Sequence, residues 1–225
     1  MRARWTGRGE GDQRQLGRGA PLPDGVPTGK VVRRLHQVHG CDVVAVVADG
    51  EQPPATCTAY RAPVEGGSFP DGDALVARDD RSALAVLTAD CAPLALASPE
   101  GGFAAVHAGW RGLAAGVVEA AVAALRAWGA SDVVAALGPC IGPCCYEFGP
   151  EEAAPLAARY GDAVLARTTW GTSALDLGAG VTAALRGAGV VQVERHGACT
   201  GCGPDAFSHR RRAEEQRQAL LVWRT

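Results

Sequence analysis
The segment "LTADCAPLALASPEGGFAAVHAGWRG", Leu87 to Gly112, contains two apolar runs, each with one chemically active residue near an end. The first run opens on Cys91, directly after Asp90. The second closes on His107, just ahead of Gly109, Trp110, Arg111 and Gly112. A Cys and a His placed this way can act as a thiolate and its base, or as two ligands of one metal ion. Aligned strand ends bring such residues together even when they lie apart in sequence. His39, in "HQVHG", is the third candidate. Two imidazoles and a thiolate form a catalytic-type zinc set that leaves a fourth tetrahedral position open. If residues 36 to 39 are extended, His36 and His39 point to opposite faces, so one of them alone faces the site. The plain alternative for Cys91 is a packed core thiol. The charge of Asp90 and the irregular backbone expected at Pro93 weigh against it.

The elements that must position these residues read mostly as strands. "KVVRRL" and "CDVVAVVA" flank the turn-like "HQVHG", and further strand-like runs cover Ala74 to Ala77, Ser82 to Thr88, Pro93 to Ala97 and Phe103 to Val106. Leu113 to Ala127 reads as one largely buried helix, charged only at Glu119 and Arg126. "SDVVAALG" reads as a strand running into the loop "GPCIGPCCYEFGPE". One helix begins near Glu151, with acidic residues in its first turn. Another follows Asp176, an expected N-cap, and "GVVQVER" and "ALLVW" close as strands. Arg2 to Gly29 reads as loop or short strand, and Asp49 to Asp73 as a long connection bordering the pocket. Strands outnumber helices and often follow one another, so the expected class is α/β, a mixed sheet with flanking helices, in a single domain over residues 1–225.

Composition narrows the function. The 225 residues are 47% hydrophobic and 20% charged, and the net charge is −2. That gives no basic field for nucleic acid, and no apolar stretch is long enough to span a membrane. The N-terminal residues lack the apolar core of a signal peptide, so a cytoplasmic protein is expected. Its eight cysteines are then small hydrophobes, metal ligands or catalytic thiols rather than disulfides. Lys30 is the one lysine, which argues against a pyridoxal enzyme. "DGVPTGKV" is one residue short of a P-loop and has Val31 where Ser or Thr should stand. The N-terminal arginines Arg2, Arg4, Arg8 and Arg14 read as a solvated basic face. Cys140, Cys144, Cys145, Cys199 and Cys202 lack the two regular pairs of a closed zinc site. They read as structural residues of a tight Gly/Pro loop.

In this order, "HQVHG", "DGDALVA", "LTADCAPLALA", "AAVHAGWRG", "LGPCIGPCCYEFG" and "CT" followed by "FSHRRR" resemble the motifs of the YfiH family, also called the laccase-domain or polyphenol-oxidoreductase family. The resemblance covers roughly residues 30 to 223. It implies a YfiH-like fold, similar to that of cytotoxic necrotizing factor, and His39, Cys91 and His107 as metal ligands. The implied activity is zinc-dependent phosphorolysis of adenosine, inosine and methylthioadenosine to free base and the corresponding ribose 1-phosphate, together with adenosine deaminase activity. Cys91 and His107 are then the catalytic residues. The N-terminal family element is reduced to "WTGRGEGD", with Arg8 as its counterpart, and Arg212 stands where the family has Asp.

Phosphorolysis needs an anion held beside the ribose, and Arg binds phosphate bidentately. Arg8, Arg111, Arg210 and Arg211 are the candidate substrate-binding residues, with purine nucleoside and phosphate as partners. Asp73 and Asp90 are expected to orient the ligand imidazoles. Zinc activates water near neutral pH, which suits deamination. Copper is a possible occupant of the same ligands, but five histidines are too few for a multicopper oxidase. The alternatives are a Cys91/His107 amidohydrolase of the peptidoglycan-precursor-editing kind, a copper-dependent polyphenol oxidoreductase, and a binding protein stapled by its metal. A monomer and a homodimer are equally compatible with the sequence.

Overall fold
Strands covered on both faces carry apolar residues at nearly every position, and here their two parities feed two different cores. The computed structural model describes residues 1–61 and 69–225. In chain order these form β1 (Arg2–Trp5), β2 (Val31–Arg34), β3 (Val43–Val46), β4 (Thr58–Tyr60), β5 (Ala74–Ala77), β6 (Ser82–Thr88), β7 (Ala92–Ala97) and β8 (Phe103–Ala108). There follow α1 (Trp110–Ala115), α2 (Val117–Ala127), β9 (Val134–Leu137), α3 (Pro150–Tyr160), β10 (Leu165–Arg167), β11 (Ser173–Leu175), α4 (Leu177–Gly187), β12 (Val193–Arg195), α5 (His209–Arg212) and β13 (Gln218–Trp223). The class is mixed α/β.

A seven-stranded mixed sheet runs β12-β9-β7-β8-β5-β3-β4, and a four-stranded sheet runs β1-β13-β6-β2. The sheets pack face to face. Val44, Val46, Leu75, Phe103 and Ala105 of the larger sheet meet Leu84, Val86, Leu220 and Val222 of the smaller one. The alternate residues of the larger sheet, among them Val43, Val76, Leu94, Leu96 and Val106, face α2 and α4 through Val118, Val122, Leu125, Val181 and Leu185. The outer parity of the smaller sheet, Ala85, Leu87, Leu221 and Trp223, is covered by Leu16, Leu22 and Val26 of the N-terminal segment. Full burial of side chains such as Phe103, Leu84 and Leu94 contributes about 1.5–3 kcal/mol each.

Two expectations need correcting. Leu113 to Ala127 is not one helix, because Gly116, at φ 95°, ends α1 and begins α2. The left-handed region is open to glycine without steric cost, and apolar periodicity alone does not register the break. The connection from Asp49 to Asp73 contains β4, and its residues 62–68 lie outside the described residues. In the stretch between the two helices, to which the sequence reading assigns no element, β10 and β11 pair as an antiparallel hairpin. The Asp176 cap does form, with its side chain accepting from Ala179 N at 2.8 Å. No helix among the described residues is long and apolar enough to cross a membrane.

Candidate metal centre
His39, Cys91 and His107 come from three separate elements. His39 sits in the turn after β2, Cys91 immediately before β7, and His107 on β8 opposite Pro93. The hairpin register thus sets the Cys91 strand end beside His107. Cys91 Sγ is 3.8 Å from His39 Nε2, and the imidazoles meet edge to face with centroids 4.8 Å apart. One ligand atom from each of the three residues lies within 4.8 Å of the other two. His107 is buried, Cys91 half-buried, and His39 exposed towards a cleft.

Asp73 organises this trio. Its carboxylate is fully buried and accepts from the backbone N–H of Val38 (3.3 Å), His39 (3.0 Å) and Gly40 (2.7 Å), and its Oδ1 lies 2.7 Å from His107 Nδ1. Burial pushes the Asp73 carboxyl up. Hydrogen bonds from His107, Gly40 and His39, together with the His107 charge, outweigh this and hold it below the usual range. An ionised Asp73 only accepts, so Nδ1 of His107 carries the proton and Nε2 is left for a ligand. The three N–H contacts also hold His39 at φ 60°, a left-handed conformation uncommon for non-glycine residues.

Asp90 departs from expectation. It contacts neither imidazole; Oδ1 accepts from Thr200 Oγ1 and Oδ2 from Arg210 N, both at 2.6 Å. It too lies at positive φ, 94°, which turns the chain sharply just before Cys91. Gly109 allows the close approach on the other side, since a Cβ there would fall 2.9 Å from His39 Cδ2 and 3.0 Å from Cys91 Sγ.

Electrostatics favour a charged pair. Burial raises the Cys91 thiol, but the His107 charge and hydrogen bonds from His107 and His39 bring it well below its ordinary value. Burial alone would lower His107, yet the Cys91 charge and the Asp73 hydrogen bond carry it upward. The result is a thiolate beside an imidazolium, a pair that on losing the imidazole proton becomes a soft, anionic ligand set suited to zinc or copper.

The trio lines a cleft of about 850 Å³ whose walls include Arg34, Trp110, Arg111, Tyr146, Arg210 and Arg217. A second cleft of about 580 Å³ shares Trp110, Arg111 and Arg210 with it and adds Trp170 and Arg211. The Arg111 guanidinium stacks on Trp110 at 4.4 Å and makes no ion pair or hydrogen bond among the described residues. Arg210 stacks on Tyr146 and donates to Glu147 O at 2.8 Å, and Arg211 stacks on Trp170.

Arg8 lines neither cleft. Its guanidinium is taken up by Glu214, by the carbonyls of Pro204 (2.7 Å) and Ala206 (3.2 Å), and by the face of Phe207, so it ties the N-terminal segment to the α5 loop. Arg212, at the departure from the family pattern, likewise binds Glu214 and the Thr200 carbonyl. Arg14, read as part of a solvated face, lines the larger cleft instead. His36 lines the cleft as well, but its imidazole faces Asp71 at 2.7 Å rather than Cys91.

Sequence reasoning passed over Tyr146 and Gln37. Gln37 pairs with the Leu87 backbone in both directions, at 2.7 and 2.8 Å, and so pins the His39 turn to β6. An aromatic in a Gly/Pro loop was the available signal for Tyr146, since aromatics make up only 5% of the chain.

The fold is a layered α/β scaffold that carries a His/Cys/His cluster able to hold a metal ion in an arginine-lined cleft. The chain belongs to the multi-copper polyphenol oxidoreductase laccase family, whose model matches residues 24–225. It is 43% identical over 203 residues to a purine nucleoside phosphorylase of Streptomyces coelicolor, covering 88% of this chain and 77% of that protein. It is 42% identical over 192 residues to a purine nucleoside phosphorylase of Streptomyces griseus, covering 84% and 72%. The YlmD crystal structure from Geobacillus stearothermophilus superposes with a TM-score of 0.72 at 30% identity, covering 86% of this chain and 73% of that one.

Proposed function
We propose that this chain is a metal-dependent purine nucleoside phosphorylase, with zinc held by His39, Cys91 and His107. The reading rests on one observation above all. Three residues whose metal-ligating atoms lie within 4.8 Å of one another line the same cleft as Arg111, a guanidinium with no carboxylate partner among the described residues. Zinc held there supplies Lewis acidity and activates water. Arg111, with Arg210 and Arg211 beside it, binds phosphate through planar forks, while the faces of Trp110 and Tyr146 offer stacking surface for a purine. A phosphate oxygen forms the bond to ribose C1′ as the C1′–N bond breaks, and the base leaves with the electron pair. Adenosine deamination at the same centre, inosine and methylthioadenosine as further substrates, and a cytoplasmic location belong to this proposal. Arg8 is not carried into it, because its guanidinium is already engaged elsewhere.

The test is ribose 1-phosphate formation from inosine and phosphate, measured beside zinc content in the wild type and in Cys91→Ala. Loss of one zinc together with turnover supports the proposal. A wild type that never holds zinc at these residues and yields no ribose 1-phosphate refutes it.

The thiolate–imidazolium pair also favours a second reading, a Cys91 nucleophile with His107 as acid–base partner in amide hydrolysis. A thiolate engaged by a metal is a poor nucleophile, so zinc occupancy separates the two. Polyphenol oxidation by a multicopper mechanism is not proposed. Of the five histidines, only His39 and His107 join a cluster among the described residues.

A further inference from the structure
The loop from β9 to α3 and the loop from β12 to α5 meet at four cysteines. The sulfurs of Cys144, Cys145, Cys199 and Cys202 all lie within 4.8 Å of one another, with Cys202 Sγ 3.3 Å from Cys144 Sγ and 3.4 Å from Cys145 Sγ. None is bonded to another. Cys140, the fifth cysteine of these two loops, is buried as Cys145 is but does not join the group.

We propose that these four thiolates hold a second zinc ion, a closed tetrahedral site separate from the His39, Cys91 and His107 centre. Zn–S bonds of about 2.3 Å set tetrahedral sulfurs roughly 3.8 Å apart, so the observed group needs only small adjustments around a single ion.

The sequence spacing argued against such a site because Cys144 and Cys145 are adjacent rather than a C-x-x-C pair. The backbone resolves this. A turn closed by Cys145 N to Gly142 O (3.0 Å) and Tyr146 N to Pro143 O (3.3 Å) presents both sulfurs to the opposite loop. That loop turns in the same way, with Cys202 N on Cys199 O at 3.2 Å. Gly142 N–H donates to Cys199 Sγ at 3.1 Å, a contact that favours the thiolate. Gly201 permits the approach, since a Cβ there would fall 2.8 Å from both Cys145 Cβ and Arg211 Cγ. The group runs from buried Cys145 at the edge of the core to exposed Cys202, and its four thiols meet sulfur to sulfur, which apolar packing alone does not call for. Binding such an ion stabilises the fold outright. It also joins the Tyr146 loop to the Arg210–Arg211 helix, setting the mouth of the cleft.

The experiment is zinc per chain in the wild type, Cys91→Ala and Cys202→Ser, with zinc X-ray absorption on Cys91→Ala. We expect two zincs in the wild type and one in each variant, the ion left in Cys91→Ala having four sulfurs at about 2.3 Å. Because the two centres share no ligand, their failures separate. A wild type with one zinc that Cys91→Ala loses overturns this site and leaves the His39, Cys91 and His107 reading standing. A single zinc retained in Cys91→Ala with four sulfur neighbours supports this site and overturns the other. A Cys91→Ala protein without zinc whose thiol titration finds Cys144 or Cys145 in a disulfide also overturns it.

Discussion
Replacing Asp73 with Asn keeps the shape and removes the charge at the point where the centre is held together. Each carboxylate oxygen serves two contacts, Oδ1 with His107 Nδ1 and His39 N, and Oδ2 with Val38 N and Gly40 N. An Asn amide puts an NH2 where one oxygen was, so two N–H donors lose their acceptor in either orientation. At about 1–3 kcal/mol for each unsatisfied buried group, the cost is about 2–6 kcal/mol. With a urea slope near ~2 kcal/mol/M, the metal-stripped variant should unfold at least about 1 M earlier. Zinc affinity should fall about 10–100-fold, as when other partners of ligand imidazoles are removed. The pH dependence adds a signature. The folded-state carboxyl lies below its ordinary value, so its contribution is present above about pH 4 and is lost as pH falls through the lower folded value. Asp73→Asn should lack that component. Urea unfolding at several pH values and competition with a zinc chelator supply the data. An unchanged midpoint with unchanged zinc affinity would refute the view that Asp73 holds the trio.

Gly109→Ala drives a methyl against His39 and Cys91 and should cost at least 10-fold in zinc affinity, read by the same chelator competition, with little change in far-UV circular dichroism. Arg111→Ala should raise the KM for phosphate about 10-fold or more while zinc content stays constant. Arg8→Ala should leave that KM unchanged and lower the thermal midpoint instead, through the lost Glu214 and carbonyl contacts. In the zinc-stripped protein, Cys91 should remain alkylated rapidly by iodoacetamide well below the ordinary thiol pKa of about 8.5, because its thiolate persists as pH falls. His107→Ala should move that profile upward.

The central strands were legible because both of their faces are buried, which leaves apolar runs too dense to miss; β6 is buried at all seven positions, whereas the partly exposed β4 and β10 carry no such run. Gly116 was not, since apolar side chains continue on both sides of the break. At the centre, residue types and motif order point to His39, Cys91 and His107, but not to the fate of the arginines. Arg8 and Arg111 look alike in sequence, and only the carboxylate and carbonyls around Arg8 separate them. Asp90 was misread for a related reason. Its neighbour in sequence is Cys91, while its partners, Thr200 and Arg210, arrive from more than a hundred residues away. The four-cysteine group depends on two turns facing each other, a relation that spacing within one loop cannot encode.

The order of the smaller sheet bears on how the chain comes to be folded. Its strand β13 is almost the last segment of this sequence, yet it lies between β1 and β6, two strands synthesised long before it. Until residues 218–223 arrive, β1 has no partner, β6 presents an open edge, and Leu84 and Val86 stand without Leu220 and Val222. An exposed apolar edge of this kind recruits other chains. Fragments ending before Gln218 should therefore aggregate rather than remain as smaller folded proteins.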